Sequence, residues 1–241
     1  MLGLRTFGGI SLLRGEASLT GAATQRRRLA ILALLAVAGN RGVSRDKLVA
    51  FLWPDSDGER ARHVLNQLVY AQRKHFGTPS LFTGQKTLRL NPEAIWTDVG
   101  AFESALAAGS FGTAVGHYTG PFLDGFFVRD APEFERWVER ERERFARRCI
   151  GALASLAQRA SAAGDHAGAV GWRRRAAEID PFDSVCTIAL VRTLIDAGNN
   201  AEALRVARRH ETDLRRQLGV EPDAELLRLI NRLAAGPSSP V

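Results

Sequence analysis

A short motif that recurs three times in the C-terminal part places the tightest limit on how this chain can fold. Its copies read AGSFGTAV at 108–115, AGDHAGAV at 163–170 and AGNNAEAL at 197–204, and the second and third copies begin 34 residues apart. That period is typical of tetratricopeptide helix-turn-helix repeats, in which a glycine closes one helix and a small alanine lets the next helix pack closely. We expect Gly164 and Gly198 to form turns, and Ala169 and Ala203 to form close contacts. Residues 96–235 are therefore predicted to form an all-α tetratricopeptide-like helical domain, followed by a flexible tail at 236–241.

The N-terminal part carries a different pattern, with strand signals on both sides of three helical segments. Short apolar stretches separated by glycine fill the first 20 residues, and SLFTGQKTLRLNP at 80–92 is typical of a hairpin. Helices are predicted at 25–38, 45–52 and 57–76. Thr24 and Ser44 are the expected N-caps of the first two helices, while Gly77 and Pro79 should end the third. Residues 1–95 are therefore predicted to form an α+β winged helix-turn-helix domain.

The net charge of the chain changes at the same place as the predicted secondary structure. Residues 1–95 hold 14 Lys and Arg against 6 Asp and Glu, a net charge of +8, whereas residues 96–241 hold 19 against 20, a net charge of −1. All of the excess positive charge of the chain therefore lies in its first part. This distribution indicates a module that binds a polyanion, attached to a neutral one.

The third predicted helix, 57–76, has one apolar stripe and one polar face. Ala61, Leu65, Leu68 and Phe76 recur at helical spacing with Val64 and Val69 beside them, and this stripe is expected to enter a core. The polar face taken alone is consistent with a surface exposed to solvent. Three other features favour DNA binding: the positive charge of the domain, the close spacing to the preceding helix and the basic hairpin. The candidate DNA-binding residues are Arg62, His63, Asn66, Gln67, Tyr70, Arg73, Lys74, Lys86 and Arg89.

These candidates divide into side chains that read bases and side chains that hold the backbone. Asn66 and Gln67 carry short amides that suit base edges, with adenine the favoured partner. Tyr70, one helical turn further on, is placed to stack on a sugar or to contact a phosphate. The positively charged candidates, Arg62, Arg73, Lys74, Lys86 and Arg89, are predicted to contact phosphates.

Signals for an enzyme, a metal site or a membrane span are weak throughout the chain. The five histidines are scattered without an HExxH motif, and TGQKT at 83–87 lacks the residues of a phosphate-binding loop. Cys149 and Cys186 have no CxxC partner and no nearby histidine, so we expect core thiols in a reducing compartment. The longest apolar run, LAILALLAVA at 29–38, is about half of the ~20 residues that a bilayer span needs. We therefore expect no catalytic residues, no metal, no cofactor and no membrane partner.

Two long segments carry a specific family resemblance over nearly the whole chain. QRRRLAILALLAVAGNRGVSRDKLVAFLWPDSDGERARHVLNQLVYAQRKHFG at 25–77 resembles the OmpR-type winged helix of SARP/AfsR-like regulators. From residue 98 onward, DVGAFESAL, YTGPFLDGFF, FERWVERERERF and LGVEPDAELLRL resemble the bacterial transcriptional activator domain that follows it. The resemblance implies a cytoplasmic bacterial transcription factor, associated with the nucleoid when bound. It also implies that the protein activates transcription, binds direct repeats in double-stranded promoter DNA through self-associating protomers, and contacts RNA polymerase.

The recognition helix departs from the family pattern at two positions. Gln72 stands where relatives commonly have leucine, and Ala71 stands where they often have an arginine that contacts DNA. Gln72 should weaken the core face of the helix, and Ala71 removes an expected donor.

Two functional hypotheses therefore remain open at the level of sequence. The first is a DNA-binding transcriptional regulator, and the second is a tetratricopeptide-type protein-interaction adaptor with a degenerate winged helix.

Overall fold

The computed structural model describes residues 2–21, 25–76 and 79–235. The chain divides into two compact units, Met1–Phe145 and Ala146–Val241. The expected N-cap Thr24, the expected helix terminator Gly77 and the tail at 236–241 lie outside the described residues. The first compact unit continues past residue 95 to Phe145. The domain boundary near residue 95 stays a prediction.

In its described residues the first unit contains two small sheets, five α-helices and the beginning of a sixth. In chain order its elements are β1 (Leu2–Arg5), β2 (Ser11–Arg14), β3 (Ala17–Ser18), α1 (Arg26–Ala38), β4 (Val43–Ser44), α2 (Arg45–Leu52), α3 (Gly58–Phe76), β5 (Phe82–Thr83), β6 (Thr87–Leu90), β7 (Ile95–Thr97), α4 (Asp98–Ala107), α5 (Phe111–His117) and α6 (Pro132–Ala162), whose later part belongs to the second unit. The N-terminal sheet has the order β3-β2-β1-β7, and the second sheet has the order β4-β6-β5.

The three predicted helices of the N-terminal part are confirmed. α1 is buried from Leu29 to Ala36 because its sequence is apolar on every face. The Ser44 hydroxyl accepts a hydrogen bond from the Lys47 backbone N–H at 3.2 Å, so the expected cap of α2 is present. On α3 the apolar stripe is buried at Ala61, Leu65, Val69 and Phe76, whereas the predicted stripe residues Val64 and Leu68 are only half-buried.

The hairpin of β5 and β6 forms the wing of the predicted winged helix. Phe82 pairs with Leu90 and Thr83 with Arg89, and β6 also pairs with β4, which directly precedes α2. Gly84 turns the chain between the two strands with φ at 83°. A side chain there would meet the Thr87 carbonyl oxygen at 2.0 Å from its Cβ, so this turn requires glycine.

The Asp98 carboxylate joins the end of β1 to the start of α4. It accepts hydrogen bonds from Thr6 N at 2.6 Å, Thr6 Oγ1 at 2.7 Å, Phe7 N at 2.9 Å and Val99 N at 2.8 Å. Burial raises the pKa of Asp98, and these four donors act in the opposite direction. The same stretch of chain is also held by Thr119, whose hydroxyl donates to the Phe7 carbonyl oxygen at 2.8 Å. β1 and its continuation are thus embedded in residues that follow the winged helix.

The second unit is built from helix pairs that follow the repeat motif. It comprises the end of α6, α7 (His166–Ile179), α8 (Ser184–Asp196), α9 (Asn200–Asp213), a π-helical turn at Leu214–Leu218 and α10 (Ala224–Ala235). Gly164 and Gly198 both have φ at 76°, and each lies in the turn between two helices. Ala169 and Ala203 are fully buried, as the motif predicts.

These features confirm the predicted fold class, an α+β winged helix followed by a tetratricopeptide-like helical region. The first motif copy also forms a turn, with Gly109 at φ 68° between α4 and α5 and Ala114 fully buried. Within residues 2–21, 25–76 and 79–235, no helix combines the length and the apolar character needed to cross a bilayer.

Candidate nucleic-acid interface

The exposed face of α3 and the turn of the wing carry the candidate DNA-binding residues. Six of the nine are exposed on α3: Arg62, His63, Asn66, Gln67, Tyr70 and Lys74. Lys86 is exposed at the turn of the wing, while Arg73 and Arg89 are half-buried. The α3 residues lie opposite the buried stripe because the stripe and the polar residues recur at the same helical period.

Three candidates are free to meet a ligand. The Tyr70 side chain is the most exposed aromatic group of the described residues, at 68%. Both Lys74 and Lys86 are exposed, and neither ammonium group has a hydrogen-bond or ion-pair partner among the described residues. A lysine ammonium that is exposed and unpaired is available for a phosphate without first breaking a contact.

The three arginine candidates already have partners within the protein. Arg62 forms an ion pair with Asp46 of α2 at 3.0 Å, and both side chains are well exposed. Arg73 donates through Nη2 to the Phe82 carbonyl oxygen at 2.9 Å. Arg89 donates through Nε to the Asn40 carbonyl oxygen at 2.7 Å. Arg73 and Arg89 therefore connect the wing to the helical part of the winged helix, whether or not they also touch a phosphate.

The amide and imidazole candidates also pair with neighbouring side chains. Gln67 Nε2 lies 2.8 Å from His63 Nε2, one helical turn away. Asn66 accepts a hydrogen bond through Oδ1 from Arg45 Nη1 at 2.6 Å. Burial, and secondarily the charge of Arg73, lower the pKa of Arg45. The Asn66 amide thus has a fixed orientation before any ligand arrives, because its partner Arg45 can only donate.

The sequence reasoning missed two residues that lie at this interface. Arg60 is exposed on α3 and shares the outer face with His63, Gln67 and Lys74, so the helical period alone could have identified it. Arg45 could not be identified in that way, because its partners Asn66 and Gln85 are 21 and 40 residues away in the sequence.

Two arginines at the start of α1, Arg26 and Arg27, bind other parts of the same compact unit. Arg26 donates to the Phe127 carbonyl oxygen at 2.9 Å, and its guanidinium lies 4.2 Å from the centroid of the Phe127 ring. Arg27 donates to the carbonyl oxygens of Leu52 at 3.2 Å and Arg129 at 3.3 Å. These arginines fasten the segment before α6 to the winged helix, and the segment is therefore part of the same compact unit.

The turn between α2 and α3 is acidic. Asp55 and Asp57 are exposed there, and Glu59 is exposed in the first turn of α3, where the helix dipole favours a negative charge. This surface cannot face a phosphate backbone without electrostatic repulsion. It is suited instead to a positively charged protein surface.

No group of metal-binding side chains is present among residues 2–21, 25–76 and 79–235. Both cysteines are free and buried, as predicted. Burial raises the pKa of the Cys149 thiol to about 11 and that of the Cys186 thiol to about 12. In addition, Cys186 donates a hydrogen bond to Asp183 at 3.1 Å, which favours the protonated thiol.

The comparisons with known proteins bear on the family and the fold. The family model described as the bacterial transcriptional activator domain matches residues 98–234. Among solved structures, the chain is similar to Mycobacterium tuberculosis EmbR in complex with a low-affinity phosphopeptide, with a TM-score of 0.67 and 22% sequence identity. The similarity covers 100% of this chain, which spans 66% of the length of the EmbR chain. No curated protein sequence matches the chain.

Proposed function

The chain belongs to the bacterial transcriptional activator domain family and is a SARP-like transcriptional regulator, and from this premise we propose that it binds duplex DNA directly. In this proposal α3 enters the major groove and the wing contacts the flanking backbone. The protein is then a cytoplasmic activator. The observation that carries the proposal is the exposed face of α3, where the amides of Asn66 and Gln67 lie beside the unpaired Tyr70 and Lys74 side chains.

The two kinds of side chain on this face support two separate contributions to binding. Unpaired lysines on α3 and on the wing contribute to affinity for any duplex, because each phosphate contact releases a counterion. The amides contribute to discrimination between base pairs in the major groove. Lys74 and Lys86 belong to different elements, so the backbone contacts flank the bases that α3 reads.

We further infer that protomers bind side by side on direct repeats in promoters. Two protomers that touch on adjacent half-sites bind more tightly than one, because the first raises the effective concentration of the second. The expected result is higher affinity, per protomer, for a duplex with two half-sites than for a duplex with one. Equal affinity per half-site would refute self-association on DNA.

The acidic turn before α3 supports a contact with RNA polymerase. Asp55 and Asp57 are exposed next to the helix that is proposed to hold DNA, so a bound protomer presents them to a protein on the same promoter. Replacing both with asparagine should lower activated transcription in a purified system while leaving DNA affinity unchanged. A loss of DNA affinity, or full activity of the double variant, would contradict this role.

The test of DNA binding is the salt dependence of affinity for duplex DNA, measured by fluorescence anisotropy with the full chain. Wild type should bind, and log Kd should rise linearly with log salt concentration. Lys86→Ala should lower that slope by ~1 and weaken binding to all sequences about equally. Arg228→Ala, on the exposed side of α10, removes the same charge from the second unit and serves as the control. Absence of binding to any duplex at low salt would refute the proposal.

One feature of the second unit favours the adaptor function as a second candidate. A groove of about 540 Å³ lies among α7, α8 and α9, large enough for part of a peptide. Its apolar floor includes Ala177, Leu190 and Val206, and charged side chains form its rim. An adaptor would bind a peptide there and would show little salt-dependent affinity for DNA.

A further inference from the structure

Arg45 connects three parts of the candidate nucleic-acid interface. Its backbone N–H donates to the Lys86 carbonyl oxygen at 3.1 Å, and its Nε donates to the Gln85 carbonyl oxygen at 2.6 Å. The first residue of α2 is therefore fastened to the turn of the wing at two points. Its Nη1 donates to Asn66 Oδ1 at 2.6 Å. The start of α2, the wing and α3 thus meet at a single guanidinium group.

This contact determines which end of the Asn66 amide is available to a ligand. A guanidinium has donors and no acceptor, so the amide atom beside Arg45 must be the oxygen, and the flipped orientation is excluded. Asn66 is exposed, and among the described residues its side chain has no other hydrogen bond. The amide nitrogen, with two N–H donors, therefore has no partner within the described residues, whereas the oxygen already uses one of its two lone pairs.

We propose that Arg45 is a positioning residue for specificity, which makes Asn66 a hydrogen-bond donor that prefers guanine or thymine in the major groove. The inference rests on the proposed function, DNA binding through α3. An asparagine with both ends free pairs with adenine by donating to N7 and accepting from the N6 amino group. In this protein the amide oxygen already accepts from Arg45, whose positive charge also repels the amino hydrogens of adenine and cytosine. Adenine also has an acceptor at N7, but beside its amino group, whereas guanine at O6 and N7 and thymine at O4 present acceptors with no amino group of their own next to them in the major groove.

The test compares the base preferences of four full-length proteins after selection from a random duplex pool. They are wild type, Arg45→Met, Asn66→Ala and the double variant. Arg45→Met keeps the apolar stem of the half-buried side chain and removes the donors and the charge. Arg41→Ala is the matched control, because Arg41 is an exposed arginine nearby in sequence and has no bond to Asn66.

Wild type should prefer guanine or thymine over adenine at one position of the selected site, by about tenfold. Asn66→Ala should abolish the preference at that position, which identifies the base that Asn66 reads. Arg45→Met should shift the same position toward adenine and leave the other positions unchanged, and the double variant should match Asn66→Ala. Arg41→Ala should leave every preference unchanged.

Three results would overturn the inference while DNA binding itself stands. The first is a wild-type preference for adenine at the position that Asn66→Ala identifies, a result that needs only the exposed Asn66 variant. The second is Arg45→Met binding all sequences more weakly with an unchanged profile, as expected of a phosphate contact or a purely structural residue. The third is an Asn66→Ala variant that keeps the wild-type base preference at every position of the site. Failure of wild type to bind any duplex would instead refute the proposed function on which the inference rests.

Discussion

Replacing Gln72 with leucine should stabilise the first compact unit. Gln72 is fully buried on the core face of α3, at a position where the family resemblance implies leucine. Its Nε2 donates to the Arg28 carbonyl oxygen at 3.2 Å, but its Oε1 is buried and has no hydrogen-bond partner in the part of the chain that the structure describes. A glutamine at this position therefore satisfies one end of its amide and leaves the other end unsatisfied.

The expected change in the free energy of unfolding is the balance of two contributions, one from each end of the Gln72 amide. Removing a buried acceptor without a partner recovers about 1–3 kcal/mol, whereas losing the hydrogen bond from Nε2 costs about 0.5–1.5 kcal/mol. The Arg28 carbonyl oxygen lies in the first turn of α1, where the helix itself supplies a donor. Leucine also buries more apolar surface than glutamine. We expect the free energy of unfolding to rise by about 1–2 kcal/mol.

Urea denaturation followed by tryptophan fluorescence can measure this change. Trp53, Trp96 and Trp137 all lie in the first unit, so three of the four tryptophans of the chain report on its unfolding. Gln67→Leu is the matched control, since it makes the same substitution on the exposed face of the same helix, where about 0.5 kcal/mol or less is expected. The reasoning would be refuted if Gln72→Leu had an unfolding free energy equal to or below that of wild type.

Three further predictions concern other parts of the molecule. Gln67→Ala should cost about 1–3 kcal/mol on the preferred duplex and little on random DNA, whereas Lys74→Ala should weaken both and lower the salt slope by ~1; anisotropy titrations that show no effect of either variant would remove α3 from the interface. Ala203→Leu should destabilise the second unit by roughly 1–3 kcal/mol because Ala203 has no exposed surface, and an unchanged melting temperature would contradict the close helix contact. Cys149 and Cys186, whose pKa values are raised to about 11 and about 12, should resist alkylation at pH 8 in the native protein and react fully after unfolding, as mass spectrometry can establish.

Local sequence signals predicted the helices, the hairpin and the repeat turns. Each of these depends on residues close together in the chain, such as the Ser44 cap and the Gly164 and Gly198 turns. The identity of the buried stripe on α3 was predicted less well. Gln72 is buried more completely than Leu68 because packing against α1 decides which residues are covered.

The candidate site was harder to predict because its polar side chains pair across the fold. Arg73 and Arg89 belong to the chemical type that holds phosphates, yet their guanidinium groups bind the carbonyl oxygens of Phe82 and Asn40. The partner of Asn66 is supplied by α2, which helical periodicity within α3 cannot reveal. Residue type and spacing therefore identified the face of the helix, while only the structure gives the hydrogen-bonding state of each side chain on it.

The bonds between Asp98 and the end of β1 have a consequence for the order of events during synthesis. Thr6 and Asp98 are 92 residues apart in the chain, and Phe7 and Thr119 are 112 residues apart. At about 5–20 residues per second, a ribosome needs roughly 5–20 s to deliver those partners after β1 has emerged. During that interval β1 lacks its neighbour β7 and exposes an unpaired edge with Leu2 and Leu4, a condition that favours association between nascent chains. β1 is thus completed long after its own synthesis, and this part of the nascent chain is most vulnerable to aggregation before residue 98 leaves the ribosome.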